Sequence, residues 1–131
     1  MPRYMRDTDT VSFALRGQGR VGARLLDHRP SECCISAMTL AELRYGADLR
    51  RSRKLHRLID TFSDTIAPMP FDRVGADRFG SVAAALARGG TPIGPFDTVI
   101  AAHALSLGLI LVTNNVKHFG RVAGLRVENW V

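Results

Sequence analysis

Three carboxylates, Asp7, Glu42 and Asp97, each stand near the start of a segment with helical apolar spacing. Each has an ordinary structural explanation. Asp7 lies where a first strand would end and a helix begin, the place of an N-cap. Glu42 follows Thr39 by three residues, the spacing of a capping box. Asp97 opens an apolar stretch after Gly94-Pro95-Phe96, and an acid in a first helical turn is favoured by the helix dipole. Taken together the three explanations fall short. In a parallel α/β sheet the helices begin along one edge, and ligands bind at that edge. Were the three groups to meet within about 4 Å, each charged pair would repel by about 4 kcal/mol at an effective dielectric near 20. A cap contributes only about 1 kcal/mol. Such crowding requires either raised pKa values or a cation among the oxygens. An all-oxygen set selects Mg²⁺ or Mn²⁺, with Asp7, Asp97 and Glu42 as ligands. A cation of that kind polarises a phosphodiester and acidifies an attacking water.

The charge balance fits that chemistry. The formal net charge is +6 and the pI about 10.3, which points to an anionic partner, nucleic acid first. Arg44, Arg50, Arg51, Arg53, Lys54 and Arg57 crowd one stretch and are candidates for gripping a phosphate backbone, although a solvated helix face has the same composition. A basic surface with an acidic metal pocket suits a nuclease. The 131 residues, 46% hydrophobic and 23% charged, fit one domain spanning 1–131. No apolar run approaches the roughly 18 residues of a membrane helix, and the N-terminal stretch has no apolar core of a signal peptide. A cytoplasmic protein with no membrane contact is expected. Cys33 and Cys34 are neighbours, a poor geometry for a disulfide, and read as reduced packing residues. No Cys/His spacing suits zinc.

The elements that must position the acids follow from periodicity. Strands are predicted at 1–5, 33–36, 65–68, 109–112 and 126–130. Helices are predicted at 8–16, 21–28, 38–49, 54–62, 74–87 and 97–107, the last ended by Gly108. This alternation predicts an α/β fold with a mainly parallel sheet and helices on both faces. Gly17 to Gly22 matches GxGxxG, but no strand directly precedes it, so it reads as a helix–helix turn rather than a dinucleotide site.

The order of motifs resembles a known family. "MRDTDT", "ISAMTLAELRYGA", "IGPFDTVIAAHALSLGLILVTNNVKHF" and "RVAGLRVENWV" are similar, in order and spacing, to the motifs of PIN-domain ribonucleases of the VapC toxin type. The resemblance covers nearly the whole chain. It implies a PIN-like sheet of about five mostly parallel strands with an acidic pocket at its C-terminal edge. It implies Mg²⁺- or Mn²⁺-dependent cleavage of RNA, with transfer RNA the leading target. It also implies a homodimer and a cognate VapB-type antitoxin, through which a larger assembly forms on DNA. By position, Asp7 and Asp97 match the family's core metal ligands and Glu42 its third pocket acid. Thr113 and Asn115 fall on the fourth motif and would position water or a phosphate oxygen. The chain departs from the pattern twice. Asn115 stands where many PIN domains carry aspartate, which weakens any second metal position. The opening motif has Arg6 and Asp9 where leucine and asparagine are common. Arg6 must escape to solvent or pair with an acid, and Asp9 either adds to the pocket or faces water as a first-turn residue.

Two rival readings have their own features. Asp7-Thr8-Asp9-Thr10 matches the DxDxT nucleophile motif of haloacid-dehalogenase-type phosphatases, but Met1 to Arg6 lacks the apolar strand that motif follows. Asn115 favours a catalytically weak module that binds RNA or antitoxin, against which the acids at 7, 42 and 97 count. His28, His56, His103 and His118 are scattered; His103 reads as a hydrogen-bonded interior residue and His118 as exposed. Trp130 and the phenylalanines show no interleaving with basic residues of the kind that signals base stacking, and read as packing or dimer contacts.

Overall fold

The structure is a computed structural model describing residues 2–16 and 29–130. The predicted helix at 21–28, the Gly17 to Gly22 turn and His28 lie outside the described residues.

Five parallel strands form one sheet: β1 (Tyr4–Arg6), β2 (Cys33–Ser36), β3 (Ala67–Met69), β4 (Ile110–Val112) and β5 (Val127–Glu128), in the order β3-β2-β1-β4-β5. The helices are α1 (Thr8–Leu15), α2 (Ala37–Leu49), α3 (Arg53–Thr65), α4 (Arg73–Arg88), α5 (Pro95–Leu107) and the four-residue α6 (Val116–Phe119). The sheet grows outward from β1 in both directions, so the order reverses between β1 and β4, where α/β sheets open a crevice for ligands. The register is level there: Arg6 pairs with Ile35 on one side and Val112 on the other. The residues that follow, Asp7, Ser36 and Thr113, therefore come out side by side.

The central strands are too short to alternate polar and apolar faces. β1, β2 and β4 are buried throughout, as expected when helices cover both sides. One core layer gathers Met5, Cys34, Leu111 and the α5 residues Ile100, Ala101 and Ala104. The other gathers Tyr4, Cys33, Ile35, Ile110, Val112, Ile59 and Trp130. Adjacent residues on a strand point to opposite faces, so both cysteines pack, one in each layer, as free thiols.

The helix ends differ from the sequence reading in one consequential place. Helix α2 begins at Ala37, with Ser36 as N-cap accepting from the Met38 N–H at 3.1 Å. Thr39 is therefore a buried residue inside the helix, and the Thr39/Glu42 pair is no capping box. Helix α5 begins at Pro95 after Gly94, whose φ of 92° places it where glycine is favoured, and ends at Gly108 in the left-handed conformation at φ 67°. Helix α6 was not foreseen, because four residues are too few for a periodic pattern. Trp130 lies beyond β5, not in a strand, and is buried against Tyr4 with ring centroids 5.1 Å apart.

Arg6 does not reach solvent and, among the described residues, pairs with no acid. It is 1% exposed, and none of its three guanidinium nitrogens has a nitrogen or oxygen hydrogen-bond partner among the described residues. The guanidinium carbon lies 5.7 Å from the Trp130 ring centroid and 5.8 Å from that of Phe62, within cation–π range. Burial lowers its pKa.

Candidate active site

Asp7 is the most constrained of the three acids. It is 3% exposed. Its Oδ1 accepts from the Thr10 N–H at 2.9 Å, so the expected N-cap is present. Its Oδ2 accepts from the Thr113 hydroxyl at 2.6 Å. The Thr113 oxygen in turn accepts from the Asn115 N–H at 2.9 Å. The carbonyl of Val112 takes both the Asp7 N–H at 3.0 Å and the Thr10 hydroxyl at 3.2 Å. These bonds tie the start of α1 to the end of β4 across the switch point. Thr113 is fully buried and its hydroxyl donates to Asp7 and accepts from the Asn115 N–H, a placement that suits orienting Asp7 more than holding a water or phosphate.

Glu42 lacks the capping-box role that sequence alone offered, whereas Asp97 does stand in a first helical turn, as expected. Glu42 is in the second turn of α2, and its Oε1 accepts from the Thr8 hydroxyl at 2.7 Å. Asp97 is the third residue of α5 and makes no cap. Its Oδ2 lies 3.0 Å from His118 Nε2, which is also 3.0 Å from the carbonyl of Ile93. A carbonyl only accepts, so Nε2 carries the proton and donates toward both oxygens. His118 is half-buried on α6 and belongs to the site, contrary to its reading as exposed. A histidine five residues past Thr113 is the signal that was present for it.

All three carboxyl groups titrate above their ordinary range. Burial is the largest cause at each. Asp7 is raised further by Asp9 and held back by its bonds to Thr113 and Thr10. Glu42 feels Asp97, Asp9 and Asp7, and Asp97 is partly relieved by His118. The acids thus share one field. They do not form a ready cage: among the described residues no group of three or more His, Cys, Asp or Glu side chains is gathered as a metal site. The close three-way contact expected from sequence is replaced by a looser arrangement along the sheet edge. That arrangement still suits Mg²⁺, which is held by one or two carboxylates and keeps several waters. The donors among the three acids are all oxygens.

Asp9 is exposed, yet it lines a cleft of about 260 Å³ together with Thr8, Ser12, Glu42, Gly46 and Arg50. It faces water and adds to the acidity of the pocket at once. Of the basic candidates, Arg50 reaches this cleft. Arg51, Arg53 and Lys54 are exposed in the turn and first helical turn that follow. Arg44 is not available as expected: it pairs with Asp60 and lies 2.9 Å from His56 Nδ1, bracing α2 against α3. His103 is an interior residue, 1% exposed with Nδ1 2.8 Å from the Ser36 hydroxyl. Asn115 presents an exposed side chain at the start of α6.

The PIN-domain family pattern matches residues 4–125. This chain belongs to the PIN-domain family, in its VapC branch. It is 39% identical over 132 residues to the tRNA(fMet)-specific endonuclease VapC of Salmonella typhimurium, covering 99% of each chain. It is 36% identical to ribonuclease VapC2 of Haemophilus influenzae, covering all of both. Among solved structures, the toxin-type fold is matched by a DNA-bound VapBC complex from Salmonella typhimurium, with TM-score 0.90, 38% identity and full coverage of both chains. VapBC2 of Rickettsia felis, solved with a promoter DNA fragment, matches with TM-score 0.87 and 30% identity over 98% of each chain. The VapC assignment accounts for the five-stranded parallel sheet.

Proposed function

We propose that this VapC-family chain is a divalent-metal-dependent endoribonuclease that cuts a transfer RNA, acting as the toxin of a toxin–antitoxin pair in the cytoplasm. The carrying observation is the convergence of carboxylates from α1, α2 and α5 on the edge where strand order reverses, all with pKa values pushed up. Asp7 and Asp97 would hold Mg²⁺ or Mn²⁺, with Glu42 completing the pocket and orienting the attacking water. Bound there, the ion supplies the positive charge that lets a phosphate enter an acidic cleft and acidifies the water that attacks it. Thr113 fixes the Asp7 carboxylate, His118 orients that of Asp97, and Asn115 offers an amide toward the substrate. Arg50, with Arg51, Arg53 and Lys54 nearby, would hold the RNA backbone, so affinity falls as salt rises. The Salmonella relative's specificity for tRNA(fMet) makes the initiator transfer RNA the first target to try. The solved VapBC relatives, two of them on DNA, support a VapB-type antitoxin partner and a DNA-bound assembly; the toxin homodimer is part of the same proposal and rests on the family resemblance.

The test is sequencing of RNA ends after brief induction in cells, beside an Asp97→Asn control. One dominant new end in a transfer RNA, absent from the control, is expected. A uniform RNA population, or equal cutting by both proteins, overturns the proposal. A weaker reading, an RNA- or antitoxin-binding module, draws on Asn115; RNA binding that survives EDTA with no metal-dependent cleavage would favour it.

A further inference from the structure

We propose that the hollow beside Glu42, walled by Tyr45 and Phe96, is a subsite for one unstacked nucleobase flanking the cleaved phosphate. This rests on the ribonuclease reading and adds to it the place where the substrate's base lies. The hollow is about 710 Å³ and is lined by Thr8, Met38, Ala41, Glu42, Tyr45 and Phe96. It shares Thr8 and Glu42 with the acidic cleft, so the two spaces meet at the Glu42 carboxylate. Met38, Ala41, Glu42 and Tyr45 have the spacing of one helical face. Phe96 comes from the first turn of α5, one residue before Asp97.

The two rings are out of character with the rest of the molecule. Tyr4, Phe119 and Trp130 are buried in the core, whereas Tyr45 is 69% exposed and Phe96 55% exposed. Grouped exposed aromatics around a concavity signal a ligand. The chemistry of the walls narrows the choice. Among the described residues no lysine or arginine lines the hollow, and Glu42 at its boundary repels a phosphate. Arg16 and Arg50 line the neighbouring cleft, with Asp9 and Glu42. The backbone is thus directed to one side of Glu42 and an uncharged, flat, polarisable group to the other. A base displaced from its stack near a cut phosphate needs such a surface, and proteins that read single-stranded RNA provide it with aromatic faces.

The probe is initiator transfer RNA, with the wild-type cut mapped first, and two copies of it carrying a single abasic ribose on either side of the cut. Tyr45→Ala and Phe96→Ala should each lower kcat/KM about 10- to 100-fold on intact RNA, while Tyr45→Phe keeps most activity. Wild type should lose a similar factor on one abasic RNA, and on that RNA the alanine variants should cost nothing more. Abasic RNA cut as fast as intact RNA overturns the subsite. So do alanine variants that lose the same factor on both RNAs. If those variants also change the mass seen by light scattering, the hollow is a contact between copies instead. Loss of antitoxin binding with RNA cleavage intact assigns the face to the antitoxin. Should wild type cut no RNA with any divalent metal, the ribonuclease reading fails on its own, and the binding of intact and abasic RNA still decides: equal affinity overturns the subsite.

Discussion

Arg6 and Asp7 are consecutive, opposite in charge and almost fully buried, at 1% and 3% exposure, yet the fold treats them differently. Asp7 receives a backbone N–H and a threonine hydroxyl, each aimed at a separate oxygen. Among the described residues the guanidinium of Arg6 meets no oxygen or nitrogen acceptor; two aromatic faces and the Cys33 and Cys34 thiols stand near it. Burying a charge is costly unless hydrogen bonds compensate. One residue is therefore held in a defined direction at a site edge, and the other is accommodated by packing. The difference marks which buried charge is under functional constraint: Asp7 is oriented, Arg6 only tolerated.

Asp7→Asn is the most severe test of that distinction. Asparagine caps helices about as well as aspartate, so the variant retains the cap and loses the charge. Cleavage should fall by about 10³-fold, the scale of losing a metal-assisted step worth several kcal/mol. Because burial raises the Asp7 pKa, ionisation at neutral pH opposes folding, and the variant should be more stable than the wild type, not less. Activity assays and urea denaturation check both halves; an active variant, or a destabilised one, breaks the comparison.

The second test uses pH. Asp7, Glu42 and Asp97 all have folded pKa values above those of the unfolded chain. Between about pH 4, where unfolded carboxyls titrate, and their raised folded values, the native state holds more protons than the unfolded one. Metal-free stability should therefore fall as pH rises through that window and level off above it. Magnesium should reverse the loss above the window, by about 2.7 kcal/mol at a hundred times its dissociation constant, and do little below it. Melting curves with Mg²⁺ and with EDTA at either end of the window read this directly. Stability that climbs across the window would show that the three acids are not crowded.

Much of this could be read from residue order, and the exceptions have physical causes. The strand–helix alternation placed Asp7 and Asp97 at helix starts because capping and breaker residues are local signals. Glu42 was misread because Ser36 can serve both as the last residue of β2 and as the cap of α2, which moves the helix start ahead of Thr39. The Thr113 contact depends on the level register of Arg6 and Val112, a property of strand pairing that no local window contains. Arg44 looked like the rest of the basic cluster until α3 brought Asp60 and His56 to it. Phe96 and Tyr45 are far apart in the chain and show no shared pattern, so their common hollow emerges only when α2 and α5 are packed.

Thr113→Val probes the wiring of Asp7 without touching its charge. The change is close to isosteric but removes the hydroxyl at 2.6 Å from Oδ2. Groups that orient a metal ligand typically matter by about 10- to 100-fold in affinity or activity, and a loss in that range is expected here. That hydrogen bond lowers the Asp7 pKa, so its removal should move the acidic limb of the activity profile to higher pH. An unshifted limb with reduced activity would indicate a packing effect alone.

Arg6→Leu should have the smallest effect and the opposite sign. Leucine removes a buried cation with no oxygen or nitrogen acceptor among the described residues and fills apolar space between Phe62 and Trp130. The desolvation relieved is several kcal/mol, offset by two cation–π contacts worth about 1–2 kcal/mol each when desolvated. A net gain of about 1–2 kcal/mol in urea denaturation is expected, with kcat/KM unchanged, because Arg6 contacts none of the acids. A loss of activity at preserved stability would mean that the guanidinium charge helps to set the field at its neighbour, and the two residues would then have to be read as one functional unit.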